Sequence, residues 1–251
     1  MLNLENKVIV ITGASSGIGR QCAITLSKLG AKIILFGRNN DKIDETKSML
    51  YTNDYLFYSQ DIMDIQQFES SIESAVKKFG VIDGFIHSAG VQTTFPLRKH
   101  NKDVFLNQFN INALSAFEIT RILTKRSFFN QQGGSIIFIS SIRGILGDAN
   151  ILGYSASKGA LIAGAKSLSI ELADRKIRVN TVSPGMVEDT SMTTNAVKLF
   201  SEEWTKKSKQ EYPLGWVGVS DVANACLFLL SDLSTKITGI NLLVDGGFSA
   251  K

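Results

Sequence analysis

Long apolar runs are missing from this 251-residue sequence: nowhere do about 18 apolar residues follow one another, which excludes a membrane-spanning helix. Cysteine is scarce. Cys22 and Cys226 each sit in an apolar helical pattern, so two buried thiols are expected rather than a disulfide or a redox pair. A strong excess of one charge is also missing: 27 basic residues face 23 acidic ones, and a scattered net charge of +4 does not argue for nucleic acid as a partner. No cluster of histidine, cysteine and acid has ligand spacing, so no metal is expected. The opening "MLNLENKVIVITG" has no basic stretch followed by a long apolar segment and a cleavage site; a cytoplasmic protein without a signal peptide is expected. No low-complexity linker, repeat or composition break divides the chain, and residues 1–251 are expected to form one domain.

What is present is an alternation of short β-branched runs and amphipathic segments. Strand candidates are "KVIVIT" (7–12), "AKIILF" (31–36), "YLFYS" (55–59), "IDGFI" (82–86), "GSIIFIS" (134–140), "IRVNTVS" (177–183) and "INLLV" (240–244). Helical patterns run over 17–29, 41–50, 64–79, 102–129 and 153–175. The strand runs are continuously apolar rather than alternating, as in a parallel sheet covered on both faces. The expected fold is therefore α/β: a Rossmann-type, doubly wound, mainly parallel sheet of about seven strands with helices on both faces. Residues 186–216, polar and helical with no strand, are expected to cover the crevice at the strands' carboxyl ends as a substrate lid.

"TGASSGIG" (12–19) follows the first strand and opens the first helix. Gly13 lets the chain turn out of the strand, while Gly17 and Gly19 allow backbone to approach a pyrophosphate. The helix start then offers free N–H groups to the anion. The second strand ends "LFGRNN", with Gly37 where an acid for a ribose 2′-hydroxyl would stand, followed by Arg38. A guanidinium there suits a 2′-phosphate, so NADP(H) is expected over NAD(H), the alternative being Arg38 as a solvated loop residue. Asp41, the other candidate acid, lies at a helix start, where capping accounts for it.

In "GYSASKG", Tyr154 and Lys158 stand four apart on an apolar helix and share a face. Using a phenol near neutral pH requires roughly 4 kcal/mol of preference for the phenolate, and a nearby ammonium and an oxidised nicotinamide supply a field of the correct sign. The pair alone is also compatible with surface decoration of a helix.

The motifs together resemble the classical short-chain dehydrogenase/reductase family over nearly the whole chain, in order: "TGASSGIG", "QDIMD" (60–64), "HSAG" (87–90), "FNINA" (109–113), "ISS" (139–141), "YSASK", "SPG" (183–185) and "ITGINLLVDGG" (237–247). The resemblance implies Tyr154 as acid/base, Lys158 lowering its pKa and bonding the nicotinamide ribose, Ser141 holding the substrate oxygen, and Asn112 fixing a water in a proton path. It further implies a cofactor lined by Gly13, Ser15, Ser16, Gly17, Ile18 and Gly19 at the phosphates, with Arg38, Asp61 and Ile62 at the adenosine. Ser88, Ala89 and Gly90 would lie at its ribose, and Pro184, Gly185, Val187 and Thr190 at the nicotinamide.

The sequence departs from the family pattern at several positions. His87 and Ser88 replace an Asn-Asn pair; His87 is expected as a hydrogen-bonded substitute rather than a second base. Thr190 falls six after Pro184, which makes Asp189 a rival for its role. Trp216 fits core packing or lid closure, and Arg143 fits contact with an anionic substrate or a solvated rim. Lys206, Lys207 and Lys209 fit a solvated helix face or docking of an acidic or phosphorylated partner such as an acyl carrier protein.

The resulting expectation is an NADP(H)-dependent carbonyl reductase or alcohol dehydrogenase acting on a small molecule, carrier- or CoA-linked in one version, and assembled as a homotetramer or homodimer. The alternatives are an NAD-dependent sugar or polyol dehydrogenase and a non-catalytic NADP(H)-binding sensor or scaffold. Gln92, Thr93, Arg143, Asn150 and the lid are expected to choose the substrate.

Overall fold

The computed structural model describes residues 3–199 and 201–250; Phe200 of the expected lid, and Met1, Leu2 and Lys251 of the expected single domain, lie outside them. Seven parallel strands form one sheet: β1 (Val8–Thr12), β2 (Lys32–Gly37), β3 (Tyr55–Ser59), β4 (Gly84–His87), β5 (Gly134–Ile139), β6 (Ile177–Pro184) and β7 (Asn241–Val244), in the order β3-β2-β1-β4-β5-β6-β7. The apolar runs are continuous because each strand feeds two cores in turn. Val8 and Val10 of β1 join the core on one face, and Ile9 and Ile11 join the core on the other. The edge strands β3 and β7 are the least buried, while each other strand has at most one residue that is not buried.

On the face of Ile9 lie α1 (Gly17–Ser27), α2 (Asn40–Ser48) and, after a later crossover, a helix over Val219–Leu230. Cys22 and Cys226 are free thiols buried between α1 and that later helix; each other's company and burial push the Cys226 thiol up, which keeps it unreactive. The face of Val8 is covered by α3 (Ile65–Phe79), α4 (Lys102–Phe109), α5 (Ser115–Leu123) and α6 (Leu152–Glu171). The segment expected as one helix over 102–129 differs in two ways. It passes through a π turn, Asn110–Leu114, and it ends at Leu123, because Phe128 and Phe129 reach the core from the turn that follows.

Residues after β6 form α7 (Ser191–Leu199) and α8 (Glu202–Gln210) before α9 (Val219–Leu230), so the polar segment is helical without strands. Strand order reverses between β1 and β4, and the carboxyl ends of these two strands open the crevice in which α/β sheets bind ligands. No described helix is long and apolar enough to cross a membrane, and no described cluster of His, Cys, Asp or Glu has the geometry of a metal site.

Candidate active site

The floor of the crevice is made of backbone. Gly13 has φ +68°, and a Cβ there would sit 2.7 Å from the Ala89 amide nitrogen; at Gly19 a Cβ would meet the Gly13 carbonyl oxygen at 2.4 Å. The "TGASSGIG" turn therefore touches the "HSAG" end of β4 only because Gly13 lacks a side chain, and folds onto itself only because Gly19 does. Ser16 precedes α1 in extended conformation, its side chain makes no capping bond, and the first turn holds no acid. The amides that open α1 thus keep their capacity for an anion, which fits a dinucleotide pyrophosphate. Gly17, at φ +52°, has Thr190 as its nearest neighbour: a Cβ would be 3.4 Å from the threonine methyl. Thr190 faces this crevice and accepts the Thr193 amide at the start of α7, whereas Asp189 is exposed at φ +59°. Of the two rivals, Thr190 is the one beside the glycine turn.

Gly37 is buried, and a Cβ there would contact Ser15 at 3.4 Å. Arg38 stands beside it with a side chain 67% exposed, its guanidinium 4.0 Å from Asp61. Asp61 also accepts the Met63 amide, and Ile62 is buried beneath them. The helix cap expected of Asp41 belongs to Asn39, whose side chain accepts the Lys42 amide at 2.9 Å; Asp41 lies in the first turn instead. Sequence reading missed Arg20. It binds the Ser15 and Lys42 carbonyls, Thr46 and Glu45, and so clamps the glycine turn to α2.

Asn112, Ser141, Tyr154 and Lys158 converge at the carboxyl ends of β4 and β5, all buried. Asn112 sits in the π turn, a local unwinding often found at functional sites. Its amide accepts from the Val91 N–H (2.7 Å) and donates to the Val91 carbonyl and the Ser157 hydroxyl (both 2.9 Å). The Lys158 ammonium donates to the Ile139 carbonyl at 2.7 Å and lies 5.8 Å from the centre of the Tyr154 ring. Burial lowers the Lys158 pKa to about 8. In the chain by itself the Tyr154 phenol lies above the ordinary phenol range. Burial raises it, outweighing the downward pull of its hydrogen bond with Ser141 and of the nearby Arg143 charge. The phenol is therefore held in its acid form. Gly90 borders this group: a Cβ there would be 3.3 Å from the Asn112 carbonyl oxygen and 3.4 Å from the Lys158 nitrogen.

Around the centre, His87 is fully buried, 3.0 Å from the Thr12 hydroxyl on one ring nitrogen and 3.5 Å from Ser115 on the other. Burial above all, with the Lys158 charge, lowers its pKa to about 3, so it is a neutral bridge between strand ends. Arg143 is not a free rim charge: its guanidinium pairs with Asp148 at 2.8 Å. The lysine triplet divides, because Lys209 pairs with Glu188 at 3.0 Å and lies 4.9 Å from the Trp216 ring centre, while Lys206 and Lys207 are exposed. Gly185 faces the ring of Tyr212, whose hydroxyl accepts the Met186 amide at 3.1 Å. Nothing in "YPLGW" singled out this tyrosine, since its contacts are 26 residues away. Thr93 is anchored by its amide to Gln108 of α4, and the Asn150 carbonyl accepts the Phe95 amide, which joins the two loops beside the centre.

Residues 13–249 match the family model described as enoyl-(acyl carrier protein) reductase. The chain is similar to the 3-oxoacyl-[acyl-carrier-protein] reductase FabG of Rickettsia felis, 36% identical over 249 residues and 98% of each chain. It is 34% identical over 243 residues to the human 3-oxoacyl-[acyl-carrier-protein] reductase, covering 96% of this chain and 98% of the relative. Among solved structures it resembles carveol dehydrogenase from Mycobacterium avium in complex with NAD, with a TM-score of 0.92, 27% identity and 100% of both chains covered.

Proposed function

The chain belongs to the short-chain dehydrogenase/reductase family and is an oxidoreductase of the CH–OH/C=O pair that uses a nicotinamide cofactor; from that premise we propose that it reduces a 3-oxoacyl thioester to the secondary alcohol with NADPH, Tyr154 giving the proton. The observation that carries this reading is the convergence of Ser141, Tyr154 and Lys158 beside a crevice floored by glycine backbone.

When bound, the reduced nicotinamide supplies a hydride to the carbonyl carbon. Ser141 and Tyr154 offer two hydroxyls, bonded to each other, to one oxygen. That suits a ketone, whose oxygen takes the proton, better than an alkene, whose proton must go to carbon. The 3-oxo substrate is therefore preferred to the enoyl one. Tyr154 is protonated at neutral pH, as a phenol ordinarily is and the more so where burial raises its pKa, and so acts as the acid. Lys158, cationic below about pH 8, stabilises the phenolate left behind and reaches the ribose. Asn112 holds the π turn against Val91 and keeps open the path by which Lys158 exchanges protons. Gly13, Ser15, Ser16, Gly17, Ile18 and Gly19 would line the pyrophosphate and nicotinamide side, Thr190 would meet the nicotinamide, and Arg38 would receive the 2′-phosphate.

Residues 186–216 act as the lid of a single domain, and exposed Lys206 and Lys207 offer it an acidic or phosphorylated carrier. Leu106, Leu114 and Ile170, exposed on α4, the π turn and α6, support assembly into a homodimer or homotetramer. A second reading, an NAD-dependent polyol dehydrogenase, draws on Asp61 lying 4.0 Å from Arg38 and sharing its charge.

The test is oxidation of NADPH, with NADH in parallel, against acetoacetyl-coenzyme A. Replacing Tyr154 by Phe should lower kcat by about 10²- to 10⁴-fold and leave NADPH binding intact. Undiminished turnover in that variant would overturn the mechanism, and a preference for NADH would overturn the assignment of Arg38.

A further inference from the structure

Arg143 is built into the same turn as the serine of the active site. Its amide donates to the Ser141 hydroxyl at 3.1 Å, and a Cβ at Gly144 would lie 2.9 Å from the Lys158 carbonyl carbon, so the turn is pressed onto α6. The side chain then reaches from the Ser141 turn toward Asp148 and Phe248. It pairs with Asp148 at 2.8 Å and reaches the Gly147 carbonyl at 3.4 Å. Its guanidinium carbon lies 5.3 Å from the centre of the Phe248 ring, and that ring packs on Tyr212 at 4.7 Å. Its charge draws down the phenols of both Tyr154 and Tyr212, so the guanidinium is near both. With a quarter of its side chain exposed, it is fixed yet accessible.

The pairing with Asp148 bears on what Arg143 can bind. The pair is neutral as a unit, so a free anion would have to displace a carboxylate already at hydrogen-bond distance. A guanidinium nevertheless has more N–H donors than these two contacts use, and the remainder suit a neutral acceptor.

We propose that Arg143 determines specificity for substrates with a second carbonyl, donating to the thioester oxygen while Ser141 and Tyr154 hold the ketone in 1,3-relation to it. The assignment rests on the 3-oxoacyl reading above and deepens it. It also explains why the arginine is tethered: a pre-set donor selects a dicarbonyl without the cost of ordering a long side chain on binding.

The experiment compares acetoacetyl-coenzyme A with S-(3-oxobutyl)-coenzyme A, which keeps the ketone and lacks only the thioester oxygen. In wild type the thioester should be favoured in kcat/KM. Arg143→Met should cut kcat/KM for acetoacetyl-coenzyme A by about 10- to 100-fold more than for the thioether, the worth of a charge-assisted hydrogen bond, on top of any loss common to both from the changed field at Tyr154. Arg143→Lys should keep an intermediate preference. The ratio of the two substrates within one variant cancels any general loss of folded enzyme. Equal losses on both substrates, in either variant, would make Arg143 a brace of its loop and overturn the assignment alone. Failure of wild type to reduce acetoacetyl-coenzyme A would overturn the reductase reading and this assignment with it.

Discussion

The two sides of the crevice are built by different means. On the cofactor side, the turn after β1 and the end of β4 meet through backbone, and the positions that matter admit one residue type. On the substrate side, the loops around 91–101, 141–153 and 186–216 are held by side-chain bonds: Thr93 to Gln108, Gly153 to His100, Arg143 to Asp148, Glu188 to Lys209, Met186 to Tyr212. Many other pairs could hold the same loops. Steric exclusion leaves a readable mark in a sequence, whereas hydrogen-bonded side chains leave a degenerate one.

His87 lies on the seam between the two sides, and acid should break that seam first. Its imidazole is neutral when folded, with a pKa of about 3, whereas the unfolded chain takes up the proton near 6.5. Between those values the unfolded state binds more protons, so stability is complete above pH 6.5 and falls as the pH drops toward 3. The loss reaches at most about 5 kcal/mol. Urea melts from pH 7 to pH 4 should show this limb in wild type and a flatter one in His87→Asn; identical slopes would assign acid sensitivity elsewhere.

A methyl group sharpens the comparison next. Gly19→Ala forces a Cβ to 2.4 Å from the Gly13 oxygen, so it should cost about 1–3 kcal/mol and weaken dinucleotide binding. Gly147→Ala on the substrate side meets nothing within 4 Å and should stay within about 0.5 kcal/mol of wild type. Thermal melts of the pair would blur the contrast if both fell alike. The smallest effect is expected at Arg38, which is two-thirds exposed. Arg38→Ala should raise KM for NADPH by about 10-fold and leave NADH unchanged, an effect that weakens at high salt. Equal changes for both cofactors would remove Arg38 from the 2′-phosphate.

Much of the fold was legible because a sheet covered on both faces needs continuous apolar strands; all seven segments appear, with ends displaced by a residue or two. The helix over 102–129 was read too long, since Phe128 and Phe129 continue the apolar pattern from a turn. The π turn was invisible because it depends on Asn112 bonding Val91, 21 residues away.

By itself, then, the sequence determined the parallel sheet and the glycine turn, because strand burial and backbone approach each restrict residue choice at fixed spacing, while the grouping of Tyr154, Lys158, Ser141 and Asn112 was legible only through the resemblance to a known family. Tertiary structure alone decided the sign of the Tyr154 shift, the neutrality of His87, the position of Thr190 beside Gly17 with Asp189 exposed, and the tethering of Arg143 and Lys209. Each of those follows from desolvation or from a partner elsewhere in the fold, and neither burial nor a distant partner is encoded in the residue that feels it.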